Sequence, residues 1–206
     1  MRGTCLVDRR CEPNVAGESG RCAMRDAVRE LLDAVDGRSD AMERAATTLL
    51  DCIDAGGVVH TAGAGHSVAM VCETFYRAGG LAAVRPLWDP EVVPLDGARA
   101  PPPSGGVAPA APTTCRHRGS STRPTSAVPP GDAVHPADAP RTSAVSTILG
   151  AYTWSALLAQ LHRKAGERGS VLPLWTSANV PGGDEHNAEL FARYSERIPE
   201  LTAGIG

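Results

Sequence analysis

A glycine-rich turn that follows a short apolar run is the first feature of this sequence with clear chemical potential. Residues 58–62 (VVHTA) have the length and composition of a buried parallel strand, and residues 63–67 (GAGHS) lead from it into a helical pattern. A turn of this kind presents unpaired backbone N–H groups and the positive end of the helix dipole. Phosphate is the natural ligand of this glycine turn, although a tight turn that binds nothing accounts for the same residues.

Two better-defined phosphate motifs are absent from the glycine turn. It has no lysine, which a P-loop requires, and Val68 occupies the position of the third glycine in the dinucleotide-binding fingerprint. The turn therefore favours a phosphate-bearing ligand without pointing to either of these nucleotide-binding motifs.

Glu73 and His186 are the side chains best placed in the sequence to transfer protons. Glu73 lies six residues after Ser67 in the same helical pattern, where a carboxylate can act as a general base but is more often only solvated. Asp184 and Glu185 suit the start of a helix through its dipole, whereas His186, one turn into the helix and flanked by polar groups, suits acid–base chemistry. No second ligand stands at a convincing spacing, so no metal site and no cofactor are predicted.

Hydrophobic periodicity supplies the elements that must position these residues. Apolar spacing predicts helices over residues 22–37, 39–55 and 68–78, with strands at 58–62 and 82–87. The order strand, glycine turn, helix, strand is a βαβ unit, which indicates an α/β fold with a parallel sheet.

The second half of the sequence predicts two more helices. Thr142 and Ser143 form an N-cap pair for a long helix that ends near 166–169, residues 171–176 are extended, and a turn at 181–184 opens the last helix.

The stretch 97–140 has a different character from the rest of the chain. It holds ten of the 17 prolines and no Leu, Ile, Met, Phe, Trp or Tyr, so it cannot bury enough apolar surface to offset its ordering entropy. We therefore expect a disordered Pro/Gly/Ala-rich segment at 97–129.

The N-terminal residues are polar and show no periodicity, so we expect a disordered tail at 1–22, with Met1 or Met24 as the start. A single domain at 23–200 should follow, interrupted by the segment 97–129.

Composition excludes several classes of partner. A net charge of −3 and a pI near 6.1 give no reason to expect nucleic acid. No apolar run is long enough for a membrane span and no signal peptide is recognisable, so a cytoplasmic location is expected. The six cysteines match no zinc spacing or disulfide framework, and Cys52 and Cys72 are predicted to be buried free thiols.

Several segments resemble uncharacterised bacterial SIS (sugar isomerase) domain proteins related to phosphoheptose isomerase. The resemblance extends over about 24–96 and 130–200. The segments that carry it are 61–67 (TAGAGHS), 75–81 (FYRAGGL), 85–90 (RPLWDP), 130–133 (PGDA), 141–145 (RTSAV), 177–180 (SANV) and 182–187 (GGDEHN).

The resemblance implies a three-layer α/β sandwich around a parallel sheet, assembled as a homodimer or homotetramer. It also implies a phosphorylated sugar as ligand and aldose–ketose isomerisation as the reaction, with Glu73 and His186 as acid–base residues. By the same resemblance the ligand would be contacted by Gly63, Gly65, His66, Ser67, Thr142, Ser143, Asn179 and Glu185.

One family feature is missing from this sequence. SIS domains carry a second loop of the type Ser-x-Ser-Gly that grips the phosphate, and no such motif after an apolar strand occurs between 97 and 129. At least one strand–helix unit, ~30 residues or more, is therefore lost or replaced, and we hypothesise a frameshifted or deleted coding region. Two alternatives to an isomerase stay open: a non-catalytic module that senses sugar phosphates, and an inactive product of a damaged gene.

Overall fold

The structure is a computed structural model, and it describes residues 20–63, 65–87, 113–115, 120–122, 133–135 and 142–202. Residues 1–19 of the tail predicted at 1–22, together with Ala64 and most of 88–141, lie outside the described residues. The helices are α1 (Gly20–Asp36), α2 (Ser39–Asp54), α3 (Val68–Thr74), α4 (Ser146–Arg168) and α5 (Gly183–Tyr194), with short 3-10 helices at Gly65–Ser67 and Pro199–Leu201. The strands are β1 (Val59–Ala62), β2 (Val84–Leu87), β3 (Thr113–Cys115), β4 (Ser120–Thr122), β5 (Ala133–His135) and β6 (Thr142–Ala144).

The βαβ unit predicted from the sequence is present. Strand β1 runs parallel to β2, with Val59 opposite Val84 and Ala62 opposite Leu87, and α3 connects them. The α/β fold with a parallel strand pair is thus confirmed.

The other side of β1 differs from a wholly parallel sheet. Strand β3 pairs antiparallel with β1 and β4 pairs antiparallel with β3, giving the order β2-β1-β3-β4. Four residues separate β3 from β4, and so short a connection can join only antiparallel strands, because a parallel pair needs a crossover of a dozen or more residues. Both strands fall inside the Pro/Gly/Ala-rich segment.

Two apolar clusters cover opposite faces of the β1–β2 sheet. One packs α2 and α4 against Val59, Leu81 and Val84, and the other packs Trp175, α5 and the C-terminal segment against Val58, Ala82 and Ala83. Val58 and Val59, at the start of β1, enter different clusters because successive residues of an extended chain point to opposite faces. Helices on both faces of a sheet make the three-layer sandwich that the family resemblance implies.

Helix α3 is shorter than its apolar pattern predicts. The prediction extended it to residue 78, but it ends at Thr74, Phe75 is extended and Tyr76 has φ +45°. The chain leaves the helix because residues 79–82 pair with the extended segment 173–175, through Gly79 N–H to Trp175 C=O and Trp175 N–H to Gly80 C=O. That pairing is remote in sequence and overrides the local helical preference.

The predicted N-cap of the long helix is wrong. Thr142 and Ser143 belong to β6, which pairs antiparallel with β5, and α4 begins only at Ser146 after Val145, without a side-chain cap. The ladder with β5 takes the backbone of residues 142–144 into an extended conformation, so these two side chains lie before the helix rather than at its first turn.

The two cysteines predicted to be buried free thiols behave otherwise. Cys72 is free but exposed on α3, and Cys52 is buried but disulfide-bonded. Sequence spacing carries no trace of this bond, since none of the cysteines forms a recognisable framework.

Candidate functional site

The glycine turn lies at the carboxyl end of β1 and closes tightly on the start of α3. A β-carbon on residue 63 would lie 2.6 Å from the carbonyl oxygen of Ser67, so only glycine fits there. Gly65 has φ +56°, in the left-handed region that glycine adopts without strain. Both glycines are thus required by the turn itself, and their placement follows from local sequence.

Polar side chains of the turn face outward or partly outward. His66 is exposed and Ser67 is half-buried. Ser67 occupies the N-cap position of α3, yet its hydroxyl makes no capping hydrogen bond to that helix. The turn therefore presents an imidazole and a hydroxyl close to the backbone N–H groups at the start of α3, which is a set of donors suited to an anion.

A buried pair of threonines fixes α3 above β1. The Thr74 hydroxyl lies 3.1 Å from the Thr61 hydroxyl and also donates to the Val71 carbonyl at 2.9 Å. Buried hydroxyls need such partners, and here they join the last turn of α3 to the strand that precedes the glycine turn. The relative position of strand, turn and helix is thereby set from within the core.

Helix α4 closes one side of the glycine turn. It contacts both the 3-10 helix Gly65–Ser67 and α3. A β-carbon on Gly150 would lie 2.9 Å from the Met70 sulfur, so the glycine allows α3 to approach α4. Helix α4 itself makes these contacts, whereas Thr142 and Ser143, the ligand contacts expected from the resemblance, lie on the β5–β6 hairpin.

Glu73 stands at the carboxyl end of α3, half-buried and paired with an arginine. The Arg77 guanidinium donates to its Oε2 at 2.9 Å, and Arg77 itself is exposed. The two side chains form a charged group at the rim of α3, where the carboxylate can accept a proton and the guanidinium can attract negative charge.

His186 lies in the first turns of α5, where it bonds to the backbone of the extended segment. Its Nε2 is 2.9 Å from the Leu174 carbonyl oxygen, and the side chain is exposed. Because a carbonyl oxygen only accepts, the neutral imidazole carries its proton on Nε2 in this contact. The Nδ1 atom is then the nitrogen able to accept a proton.

Asn187 is a positioning residue that sequence reasoning did not single out. Its side chain accepts from the Thr176 N–H at 3.0 Å and donates to the Thr176 C=O at 2.8 Å, and it is buried. Gly183 is packed equally closely, because a β-carbon there would lie 2.2 Å from the Ser177 carbonyl oxygen. Together they tie the loop 177–182 to the start of α5.

An aromatic cluster connects the end of α3 to the segment that carries His186. The Tyr76 ring lies 4.9 Å from the Trp175 ring and 5.4 Å from the Phe191 ring, between centroids. Trp175 follows Leu174, the partner of His186, and Phe191 lies five residues beyond His186 on α5. The aromatic contacts thus join the elements that bear Glu73 and His186. The two side chains themselves have separate partners, Arg77 for Glu73 and the Leu174 carbonyl for His186.

The remaining predicted contact residues lie on the surface. Asn179 and Glu185 are exposed, and the Asn179 N–H is bonded to the Ser177 hydroxyl at 3.2 Å. A half-open cavity of about 270 Å³ is found elsewhere, at the carboxyl end of α4 and around Val171, Leu172 and Leu174. It is mainly apolar and does not include the glycine turn, so it adds nothing to the phosphate site.

Within the described ranges no group of three His, Cys, Asp or Glu side chains is placed to hold a metal ion. Within the same ranges none of the helices combines the length and apolarity needed to cross a bilayer.

Comparison with known proteins agrees with the fold and the turn. The SIS domain family matches residues 24–107, which include the glycine turn, α3 and β2. A UPF0309 protein of Streptomyces coelicolor is 30% identical over 237 residues, covering 84% of this chain and 94% of the relative. UPF0309 proteins of Listeria innocua (27% over 234 residues, 84% of this chain, 95% of the relative) and Geobacillus kaustophilus (26% over 225 residues, 80% and 90%) are also similar.

These alignments are longer than the chain itself. The alignment with the Streptomyces protein spans 237 residues, whereas this chain has 206, so the relative contains residues that this chain lacks. A lost strand–helix unit would have this effect.

Proposed function

We propose that this chain, which belongs to the UPF0309 family of SIS-domain proteins, binds a phosphorylated sugar at the glycine turn and interconverts its aldose and ketose forms. We further propose that the protein is cytoplasmic and assembles as a homodimer or homotetramer. The SIS match supports the class of ligand, and the geometry of the turn supports the place where it binds.

The tight packing of Gly63 on Ser67 is the observation that carries the proposal. The turn uses a residue without a side chain where any other would clash, and it directs the start of α3 toward the carboxyl end of β1. In open α/β sheets, ligands bind outside the carboxyl ends of the strands. A phosphate there would accept hydrogen bonds from the backbone at the turn and from Ser67 and His66.

The proposed reaction needs a base for the proton next to the sugar carbonyl. Removing that proton leaves an enediol or enediolate, and returning a proton to the neighbouring carbon completes the isomerisation. Glu73 and the Nδ1 atom of His186 are the proposed proton carriers. The Arg77 guanidinium, already bonded to Glu73, would stabilise negative charge that develops on the sugar oxygens.

A thermal-shift titration tests binding. Aldose and ketose phosphates should raise the melting temperature, whereas the same sugars without phosphate should not. A ligand that binds only the folded chain stabilises it by about 2.7 kcal/mol at a hundred times its dissociation constant. If no sugar phosphate shifts the transition at millimolar concentration, the chain does not bind this class of ligand and is the inactive product.

Isomerisation in D₂O separates an enzyme from a sensor. An active chain should convert one isomer into the other and incorporate deuterium beside the carbonyl, as seen by NMR. Glu73→Gln keeps an oxygen for Arg77, and His186→Gln keeps a donor for Leu174, so both variants should bind ligand but lose about 10²-fold or more in rate. Binding without deuterium incorporation in the wild type would identify a sensing module instead.

A further inference from the structure

Tyr76 is an aromatic residue in a conformation that its own side chain disfavours. It has φ +45°, which is a genuine outlier for a bulky residue, and 53% of it is exposed. Strained residues of this kind persist only where the surroundings hold them, and they concentrate at ligand sites.

Two other rings hold Tyr76 in place. The Trp175 ring is nearly perpendicular to it, at 87°, and the Phe191 ring meets it at 60°. Trp175 is buried and Phe191 half-buried, so the supports belong to the core on the α5 side of the sheet. The ring of Tyr76 therefore packs against the core although more than half of the residue is open to solvent.

The Tyr76 ring is joined to the elements that bear the two proposed proton carriers. Glu73 is three residues before Tyr76, and Arg77 is next to it in sequence. Trp175 and Phe191 belong to the two elements that His186 joins through its bond to Leu174. The ring is thus three residues from Glu73 along the chain and contacts the elements that His186 joins.

We propose that the Tyr76 ring is the surface on which the carbon skeleton of the sugar lies. The C–H bonds of a sugar are weakly positive, and the face of an aromatic ring is negative, so the two attract. A binding site also needs apolar surface beside its few polar groups. This inference rests on the proposed function and adds the residue that recognises the sugar rather than its phosphate.

Two substitutions at position 76 test the inference. Tyr76→Asn removes the ring but tolerates the left-handed backbone, and Tyr76→Phe keeps the ring face. Calorimetric titration should give an affinity for sugar phosphates about threefold to tenfold lower in Tyr76→Asn and nearly unchanged in Tyr76→Phe. The affinity for inorganic phosphate, which has no carbon skeleton, should be the same in all three proteins.

Each other outcome overturns the inference. Equal losses for sugar phosphate and inorganic phosphate in Tyr76→Asn would mean that the ring only supports the fold. Unchanged affinity for sugar phosphates would leave the proposed function intact and remove Tyr76 from it, whereas a wild type that binds no sugar phosphate would end both. Light scattering completes the test, because a wild-type oligomer that Tyr76→Asn splits into monomers would show that a second copy covers the ring.

Discussion

At the scale of residues, the glycine turn is the part of the candidate site whose local structure the sequence could predict. Its two glycines and the strand before them are neighbours in the chain, so local pattern is enough to predict the turn. The pattern could not reveal that the Gly63 hydrogen faces the Ser67 carbonyl, because that contact depends on the path of the folded turn.

Gly63→Ala should damage the turn, and Gly166→Ala provides its matched control. The added methyl group at 63 would lie 2.6 Å from a backbone oxygen, so the turn must open, at a cost of about 1–3 kcal/mol, and ligand stabilisation should disappear. At residue 166, inside α4, nothing lies within 4 Å, and alanine should stabilise the helix by about 0.5–1 kcal/mol. Urea unfolding measures both values. A Gly63→Ala protein with wild-type stability and ligand response would remove the turn from the site.

At the scale of elements, local preference failed where a distant strand competed for the backbone. Thr142 and Ser143 are good N-cap types, but the ladder with β5 holds them extended. Helix α3 stops at Thr74 because residues 79–82 pair with 173–175, about a hundred residues away in sequence. Sequence reasoning missed Asn187 for a similar reason, because its role depends on hydrogen bonds to the Thr176 backbone across a loop.

Asn187→Ala should loosen the loop between the extended segment and α5. It leaves the N–H and C=O of Thr176 without the side-chain amide that bonds them, and we expect a loss of about 2 kcal/mol in the free energy of unfolding. Hydrogen exchange at the Thr176 amide should accelerate in parallel. Asn179→Ala, at an exposed position of the same loop, should stay within about 0.5 kcal/mol of the wild type. Equal effects of the two changes would contradict the positioning role of Asn187.

The contact between α2 and α4 should weaken in acid. The hydrogen bond from Lys164, helped by Gln160 and Arg163, lowers the pKa of Glu43 in the folded chain, against an opposing effect of desolvation. A lowered folded pKa contributes stability above the ordinary glutamate value near 4.3, and this contribution is lost as the pH falls through the folded pKa.

Glu43→Gln and Lys164→Met measure this contribution from its two ends. Each variant should have a lower melting temperature than the wild type at pH 7, and this difference in melting temperature should shrink as the pH is lowered past about 4. Because the side chains are partly exposed, added salt should also reduce it. Calorimetric melting at a series of pH values provides the test, and a difference that stays constant with pH would assign the effect to packing.

At the scale of the whole molecule, one sheet separates two apolar clusters, and each cluster contains a tryptophan. Trp154 belongs to the cluster of α2 and α4, and Trp175 to the cluster of α5, both being buried. Periodicity predicted the helices, and the family resemblance implied that they cover both faces of the sheet. The sequence could not predict the β3–β4 hairpin beside β1, since these short strands carry no apolar alternation and owe their pairing to the edge that β1 offers.

If the two clusters form a single domain, they should unfold together. A protein that keeps only Trp154 and another that keeps only Trp175, with the remaining tryptophans changed to Phe, would report on the two faces separately. Urea titrations followed by fluorescence should give coincident midpoints. Leu161→Ala, on the α2–α4 face, should lower both by an amount equivalent to about 2–5 kcal/mol. A change confined to the Trp154 signal would mean that the two faces of the sheet unfold independently, so that the glycine turn and the His186 segment would not be held by one cooperative core.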